Sequence, residues 1–115
     1  MTDLGPLARL DDTIRARRTA DPATSYVARL LHEGRAKIAK KLGEEATETV
    51  IAALSENDTA LTAEAADLLF HLLLVLAERD IPLASVMAEL ARREGTSGLT
   101  EKAARPNALP RRDTP

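Results

Sequence analysis

Apolar residues recur along most of this chain at the three- and four-residue spacing of helices. Leu7, Leu10 and Ile14 follow Pro6, which suits a first helical turn, and the run ends among Arg15, Arg17 and Arg18, cations that favour a helix C-terminus. Asp21-Pro22 predicts a second start, with Tyr26, Leu30 and Leu31 as an apolar edge, and Gly34 then breaks the chain. A longer helix is predicted from Arg35 to about Ser55. Ile38, Leu42, Ala46, Thr49 and Ala53 form its core side, and Lys37, Lys41, Glu45 and Glu48 form a polar stripe beside them. Glu56-Asn57-Asp58-Thr59 reads as a short capped turn, and the next helix runs to about Arg79. Asp80-Ile81-Pro82 restarts the chain, and Leu83, Val86, Met87 and Leu90 mark another amphipathic helix. After Gly95 the residues are small, polar and basic, and a disordered basic tail is expected over 106–115.

One stretch departs from the amphipathic rule. From Leu68 to Leu76 the only polar side chain is His71, so this helix is apolar nearly all round and is expected to be buried. Such a helix needs neighbours on every side. A bundle of about five short helices struggles to supply them, so an all-α homodimer is expected, with the core completed by dimerisation. The short turn at Glu56–Thr59 makes the two long helices antiparallel neighbours.

Composition narrows the class. The 115 residues suffice for one domain, here taken as 1–105, and alanine, leucine, glutamate and arginine favour an all-α chain. The absence of cysteine removes disulfides, thiolate metal sites and cysteine nucleophiles. A net charge of −2 and two aromatic residues argue against nucleic-acid binding. The N-terminus carries Asp3, Asp11 and Asp12 and no apolar signal region, and the run Leu68–Ala77 is short for a bilayer. A cytoplasmic protein without membrane or nucleic-acid partners is therefore expected.

The candidate chemistry lies in two acidic pairs, Glu45/Glu48 and Glu64/Asp67. Each has i,i+3 spacing, which places both carboxylates on one helix face. Two carboxylates about 5 Å apart repel by roughly 3 kcal/mol at an effective dielectric of about 20, and four by on the order of 10 kcal/mol. A hard divalent cation, Mg²⁺ or Mn²⁺, is the natural neutraliser of oxygen ligands. The two pairs are read as one metal site in a dry crevice. Beside it, Glu44 is open between an added ligand, a base for a water and an exposed residue. His71 is read as a core histidine bonded to a carboxylate rather than a ligand. Lys37, Lys40 and Lys41 are solvated charges or a cationic patch for polyphosphate. Gly43 costs its helix about 1 kcal/mol relative to alanine, through either tolerance or a need for space. Tyr26 is assigned to core packing. No G-x-S-x-G, P-loop or Rossmann glycine pattern is present, nor the paired Glu-x-x-His of a di-iron bundle.

Ser25-Tyr26 with Leu30-Leu31, Gly34, Lys40-Lys41-x-Gly43-Glu44-Glu45-Ala46-x-Glu48, and Glu64-x-x-Asp67-Leu68-Leu69-Phe70-His71 together resemble the phosphoribosyl-ATP pyrophosphatases of histidine biosynthesis. Ser97-Gly98-Leu99-x-Glu101-Lys102-Ala103-x-Arg105 is similar to the C-terminal stretch of that family, so the resemblance covers about Tyr26 to Arg105. Phe70 and Val27 depart slightly, standing where tyrosine and threonine are more usual. The acidic signature alone would fit the wider MazG-like all-α nucleotide pyrophosphatases. The resemblance implies Mg²⁺-dependent hydrolysis of 1-(5-phosphoribosyl)-ATP to 1-(5-phosphoribosyl)-AMP and pyrophosphate. It implies Glu45, Glu48, Glu64 and Asp67 as metal ligands, with Glu44 as the residue that positions or deprotonates water. Lys37, Lys40, Lys41, Lys102 and Arg105 would offset phosphate charge. A house-cleaning pyrophosphatase of free nucleoside triphosphates and a helical interaction module without turnover are the competing readings.

Overall fold

The computed structural model describes residues 5–95 and 98–105, the side chains of residues 100 and 101 aside. The expected tail over 106–115, and Ser97 of the C-terminal motif, lie outside them. Six α-helices and one 3₁₀ turn make up the described structure: α1 (Pro6–Ala16), the turn Arg17–Thr19, α2 (Tyr26–His32), α3 (Arg35–Ser55), α4 (Asp58–Glu78), α5 (Leu83–Arg93) and α6 (Gly98–Ala104). The architecture is all-α, as the periodicity predicts, with α6 added to the expected five. The chain divides into two compact units, the first ending at Leu83 and the second beginning at Ala84.

In the first unit α4 is the hub, packing on α3 along much of its length and also touching α1 and α2. Its residues Leu73, Leu74 and Ala77 meet Ile14, Val27, Leu30 and Ile38 in one buried cluster. Ile14, Ile38, Leu73 and Leu74 are shut off from solvent, each stabilising the fold by about 1.5–3 kcal/mol relative to exposure. The other flank of α4 is bare in the single chain, with Leu69 43% and Leu72 37% exposed. The expectation of a helix buried on all sides is thus met on one side only.

Local signals set the helix ends. Helix α2 begins at Tyr26, later than the Asp21-Pro22 signal predicts. Asp21 instead accepts the Ala23 N–H in a turn, while the Ser25 hydroxyl caps α2 by accepting the Ala28 N–H at 3.1 Å. Gly34 precedes α3 at φ 101°, a backbone angle that a side chain would strain. Asn57 caps α4 by accepting the Ala60 N–H at 2.8 Å. At its far end α4 closes in a Schellman motif, with Ile81 N–H donating to Leu76 O and Asp80 N–H to Ala77 O. Asp80 takes the left-handed position of that motif at φ 57°, and the Arg18 guanidinium donates to its carboxylate at 2.7 Å.

Two contacts hold the antiparallel pair in register. The Thr49 hydroxyl lies 2.8 Å from the Glu45 carbonyl and 3.3 Å from that of Glu64, so its one proton is shared between α3 and α4. Fourteen residues away along each helix, Arg35 at the start of α3 pairs with Glu78 at the end of α4 at 2.7 Å. The buried face of α3 is Ile38 and Ala52, with Leu42, Ala46 and Thr49 half-buried. Ala53, assigned to the core by periodicity, is exposed, because the turn at Asn57 brings α4 over Ala52 instead.

In the second unit, Glu89 of α5 pairs with Arg92 at 2.7 Å and Arg93 at 2.9 Å. Those guanidinium hydrogen bonds pull the Glu89 carboxyl down to about 2.

Candidate metal and phosphate site

The register held by Thr49 brings the acidic pairs together. A carboxylate oxygen from each of Glu45, Glu48 and Glu64 lies within 4.8 Å of the others, the one such potential metal-binding group among the described residues. Asp67 falls outside this trio and its side chain is exposed. It is nevertheless close enough that its charge raises the carboxyls of both Glu45 and Glu64. Desolvation is the larger cause at both, followed by the Glu48 charge. The site is wetter than the dry crevice expected. Glu48 is exposed like Asp67, while Glu45 and Glu64 are half-buried.

One atom is an exception to that wetness. Glu45 Oε2 is buried and has no hydrogen-bond partner. A buried carboxylate oxygen left unsatisfied costs about 1–3 kcal/mol or more, and a cation at the cluster would remove that cost. All three clustered groups are hard oxygen donors, so the residues present fit Mg²⁺ or Mn²⁺.

Histidine 71 is buried beside the cluster, and its imidazole opposes the upward shift of Glu45. Its Nδ1 lies 2.8 Å from the Asp67 main-chain carbonyl, which can only accept, so Nδ1–H is the donor. The expected carboxylate partner is thereby replaced by a helix carbonyl. The bond orients the ring.

A shallow groove of about 530 Å³ runs over α3 past Lys40, Gly43, Glu44, Glu45, Thr47 and Glu48. Lys40 and Glu44 lie on its exposed rim. Nothing within 4 Å would meet a Cβ at Gly43, so the glycine clears space over the groove rather than for a neighbouring helix. Lys37 is exposed and Lys41 half-buried, and neither lines the groove. Lys102 on α6 and Arg105 just after it are exposed in the second unit.

Some residues that shape the site escaped the sequence reading. Tyr26, assigned to the core, is 55% exposed, its ring parallel to Phe70 with centroids 6.3 Å apart. With α2 capped by Ser25 and starting at Tyr26, Val27, Ala28 and Leu30 turn inward and Tyr26 is left exposed at the helix's first position. Asp11 is buried on α1 and accepts the N–H of Leu83, the first residue of α5. Its place at i+4 from Leu7, within an apolar stripe, was a readable signal of burial.

An all-α scaffold that gathers carboxylates from two antiparallel helices beside a groove lined by Lys40 fits the class of helical hydrolases of phosphoric anhydrides. The family model described as phosphoribosyl-ATP pyrophosphohydrolase matches residues 7–94, and the chain belongs to that family. It is 65% identical over 102 residues to the phosphoribosyl-ATP pyrophosphatase of Rhizorhabdus wittichii, covering 89% of this chain and 96% of the relative. Against that of Novosphingobium aromaticivorans it is 61% identical over 101 residues, covering 88% and 94%. Against that of Azospirillum brasilense the identity is 54% over 99 residues, covering 86% and 89%. Membership decides against an interaction module without turnover.

Proposed function

We infer that the chain hydrolyses 1-(5-phosphoribosyl)-ATP to 1-(5-phosphoribosyl)-AMP and pyrophosphate in histidine biosynthesis, with the α3–α4 carboxylates as its Mg²⁺ site. Family membership carries the activity, and the buried, unpartnered Glu45 oxygen within a three-carboxylate cluster carries the metal assignment. Glu45, Glu48 and Glu64 would hold the cation, Mn²⁺ being an alternative, with Asp67 completing the set from the rim. When bound, the cation supplies charge neutralisation at the phosphate oxygens and Lewis acidity.

The remaining work falls to side chains. Water adds across the anhydride between the α- and β-phosphates. A P–O bond forms to the water oxygen, the bridging P–O bond breaks, and pyrophosphate departs. Glu44 stands on the groove rim outside the clustered carboxylates, so it can orient the water and take its proton without giving up a ligand. Lys40, on the same rim, offsets phosphate charge, with Lys37 and Lys41 extending the cationic approach along α3. His71, tied to Asp67's carbonyl, positions the acidic turn of α4.

The working form is proposed to be a cytoplasmic homodimer. The observation favouring it is the apolar surface left on the long helices: Val50, Ile51 and Leu54 of α3, and Leu69 and Leu72 of α4. Helix α4 has the length and hydropathy of a membrane span. Its Glu64, Asp67 and His71, together with its pairing to α3, favour a second copy as the partner.

Pyrophosphate release from phosphoribosyl-ATP, compared with dATP, dCTP and dUTP in the presence of Mg²⁺, tests the assignment. The expected result is strong preference for phosphoribosyl-ATP and loss of turnover in Glu48→Gln. Preference for a free triphosphate, or near-normal activity of Glu48→Gln, sinks it.

A further inference from the structure

The chain has one tyrosine, one phenylalanine and no tryptophan, and the exposed Tyr26 ring stacks on Phe70, which is itself half-buried against the core. Tyr26 keeps 55% of its surface exposed while one ring face lies against Phe70. Phe70 in turn meets the His71 ring edge-on, with centroids 5.1 Å apart. Burying Tyr26 as well would have stabilised so small a domain, so an exposed ring backed by Phe70 invites explanation.

Its position supplies one. Phe70 follows Asp67 by one helical turn and Glu64 by two, which places it roughly 4.5 and 9 Å further along the α4 axis. The Tyr26 ring centroid stands a further 6.3 Å from that of Phe70. From the carboxylates, that is the reach of a nucleotide from its phosphates across the ribose to the base. We propose that the exposed face of Tyr26, braced by Phe70, is the platform on which the substrate's N1-substituted purine stacks. The inference rests on the phosphoribosyl-ATP reading and extends it to the base.

Stacking alone would accept any purine, since every base has a π-face. Substitution at N1 makes the purine more basic, so at neutral pH it carries positive charge that the adenine of ATP lacks. A cation over an electron-rich ring gains a further attraction. Tyr26 therefore binds phosphoribosyl-ATP more strongly than it binds ATP, and contributes to choosing between them.

The single tyrosine, with no tryptophan present, is also the chain's own fluorophore. Titrating the wild-type protein in Mg²⁺ with phosphoribosyl-AMP should quench its emission, after correction for purine absorption. Titrating with pyrophosphate, which has no base, should leave the emission unchanged. In steady-state assays Tyr26→Leu should raise KM for phosphoribosyl-ATP about tenfold or more with kcat within about twofold. Tyr26→Phe, which keeps the ring, should restore KM, and the preference over ATP should shrink only in the leucine variant. The inference is overturned by no quenching with phosphoribosyl-AMP, by equal quenching with pyrophosphate, or by an unchanged KM in Tyr26→Leu. It is equally overturned if raising protein concentration rescues that variant, which would assign the ring to an interface. Any of these alongside a wild type active on phosphoribosyl-ATP leaves the parent reading standing, whereas an inactive wild type removes that reading instead.

Discussion

At the scale of single residues, the carboxylates set the behaviour of the protein by opposing one another. Desolvation and the Glu48 charge raise Glu45 and Glu64 above the ordinary carboxylate range. A carboxyl whose folded value lies above its unfolded value costs the fold stability while ionised, and that cost fades as pH falls through the raised value. Asp80 and Glu89 run the other way. Arginine hydrogen bonds lower both, so their contribution is present above about pH 4 and is lost as pH falls through their depressed values. Melting followed by thermal denaturation in EDTA should therefore rise as pH is brought down from 7 toward about 5, then fall below about 4. Mg²⁺ should flatten the rise, and Glu48→Gln should remove the part due to its charge, leaving the larger part due to desolvation. A melting temperature that falls steadily from pH 7 would contradict the raised values at Glu45 and Glu64. Gly43 offers a second residue-scale test. Open space surrounds its absent side chain, so Gly43→Ala should gain up to about 1 kcal/mol of stability. Its methyl would stand in the groove, so KM for phosphoribosyl-ATP should increase; an unchanged KM would show that the groove is not where phosphates lie.

At the scale of elements, what could be read in advance was periodicity, and what could not was rotation and register. The bounds of α3 and α4 follow from apolar spacing and the polar turn at Asn57, as does the meeting of Glu45 and Glu48 with Glu64. The misses are of one kind. Ala53 against Ala52, Tyr26 against Val27, and Asp67's place on the rim each turn on tens of degrees of helix rotation, which spacing alone does not determine. Thr49 was read as a core residue, and only coordinates reveal its hydroxyl bridging the two helices. Thr49→Val keeps its shape and removes that bridge. It should cost about 1 kcal/mol in denaturant melts and lower activity by loosening the register of the two acidic pairs. Loss of stability without loss of activity would show that packing alone holds the register. Asn57→Ala removes the α4 cap and should cost about 1 kcal/mol while leaving KM unchanged, because the cap lies away from the groove.

At the scale of the whole molecule, the long helices leave large apolar side chains exposed among the described residues, Val50, Ile51, Leu54, Leu69 and Leu72. Leu54 is 83% exposed and Val50 58%, on the same long helix that carries Glu45 and Glu48. Covering such a face is worth about 25 cal/mol for each Å² removed from water, enough to drive association once the area reaches several hundred Å² per partner. If a second copy covers it, the association also fixes the outer side of α3 and so the placement of the acidic pair. Leu54→Glu would put a charge at the centre of that contact. Light scattering should then report a monomer where the wild type is a dimer, and the melting temperature of the variant should no longer rise with protein concentration. Activity should fall with it, because α3 loses the support that holds Glu45 and Glu48 opposite Glu64. A variant that stays dimeric would move the interface elsewhere. A monomer with full turnover would instead show that the carboxylate cluster is complete within one chain.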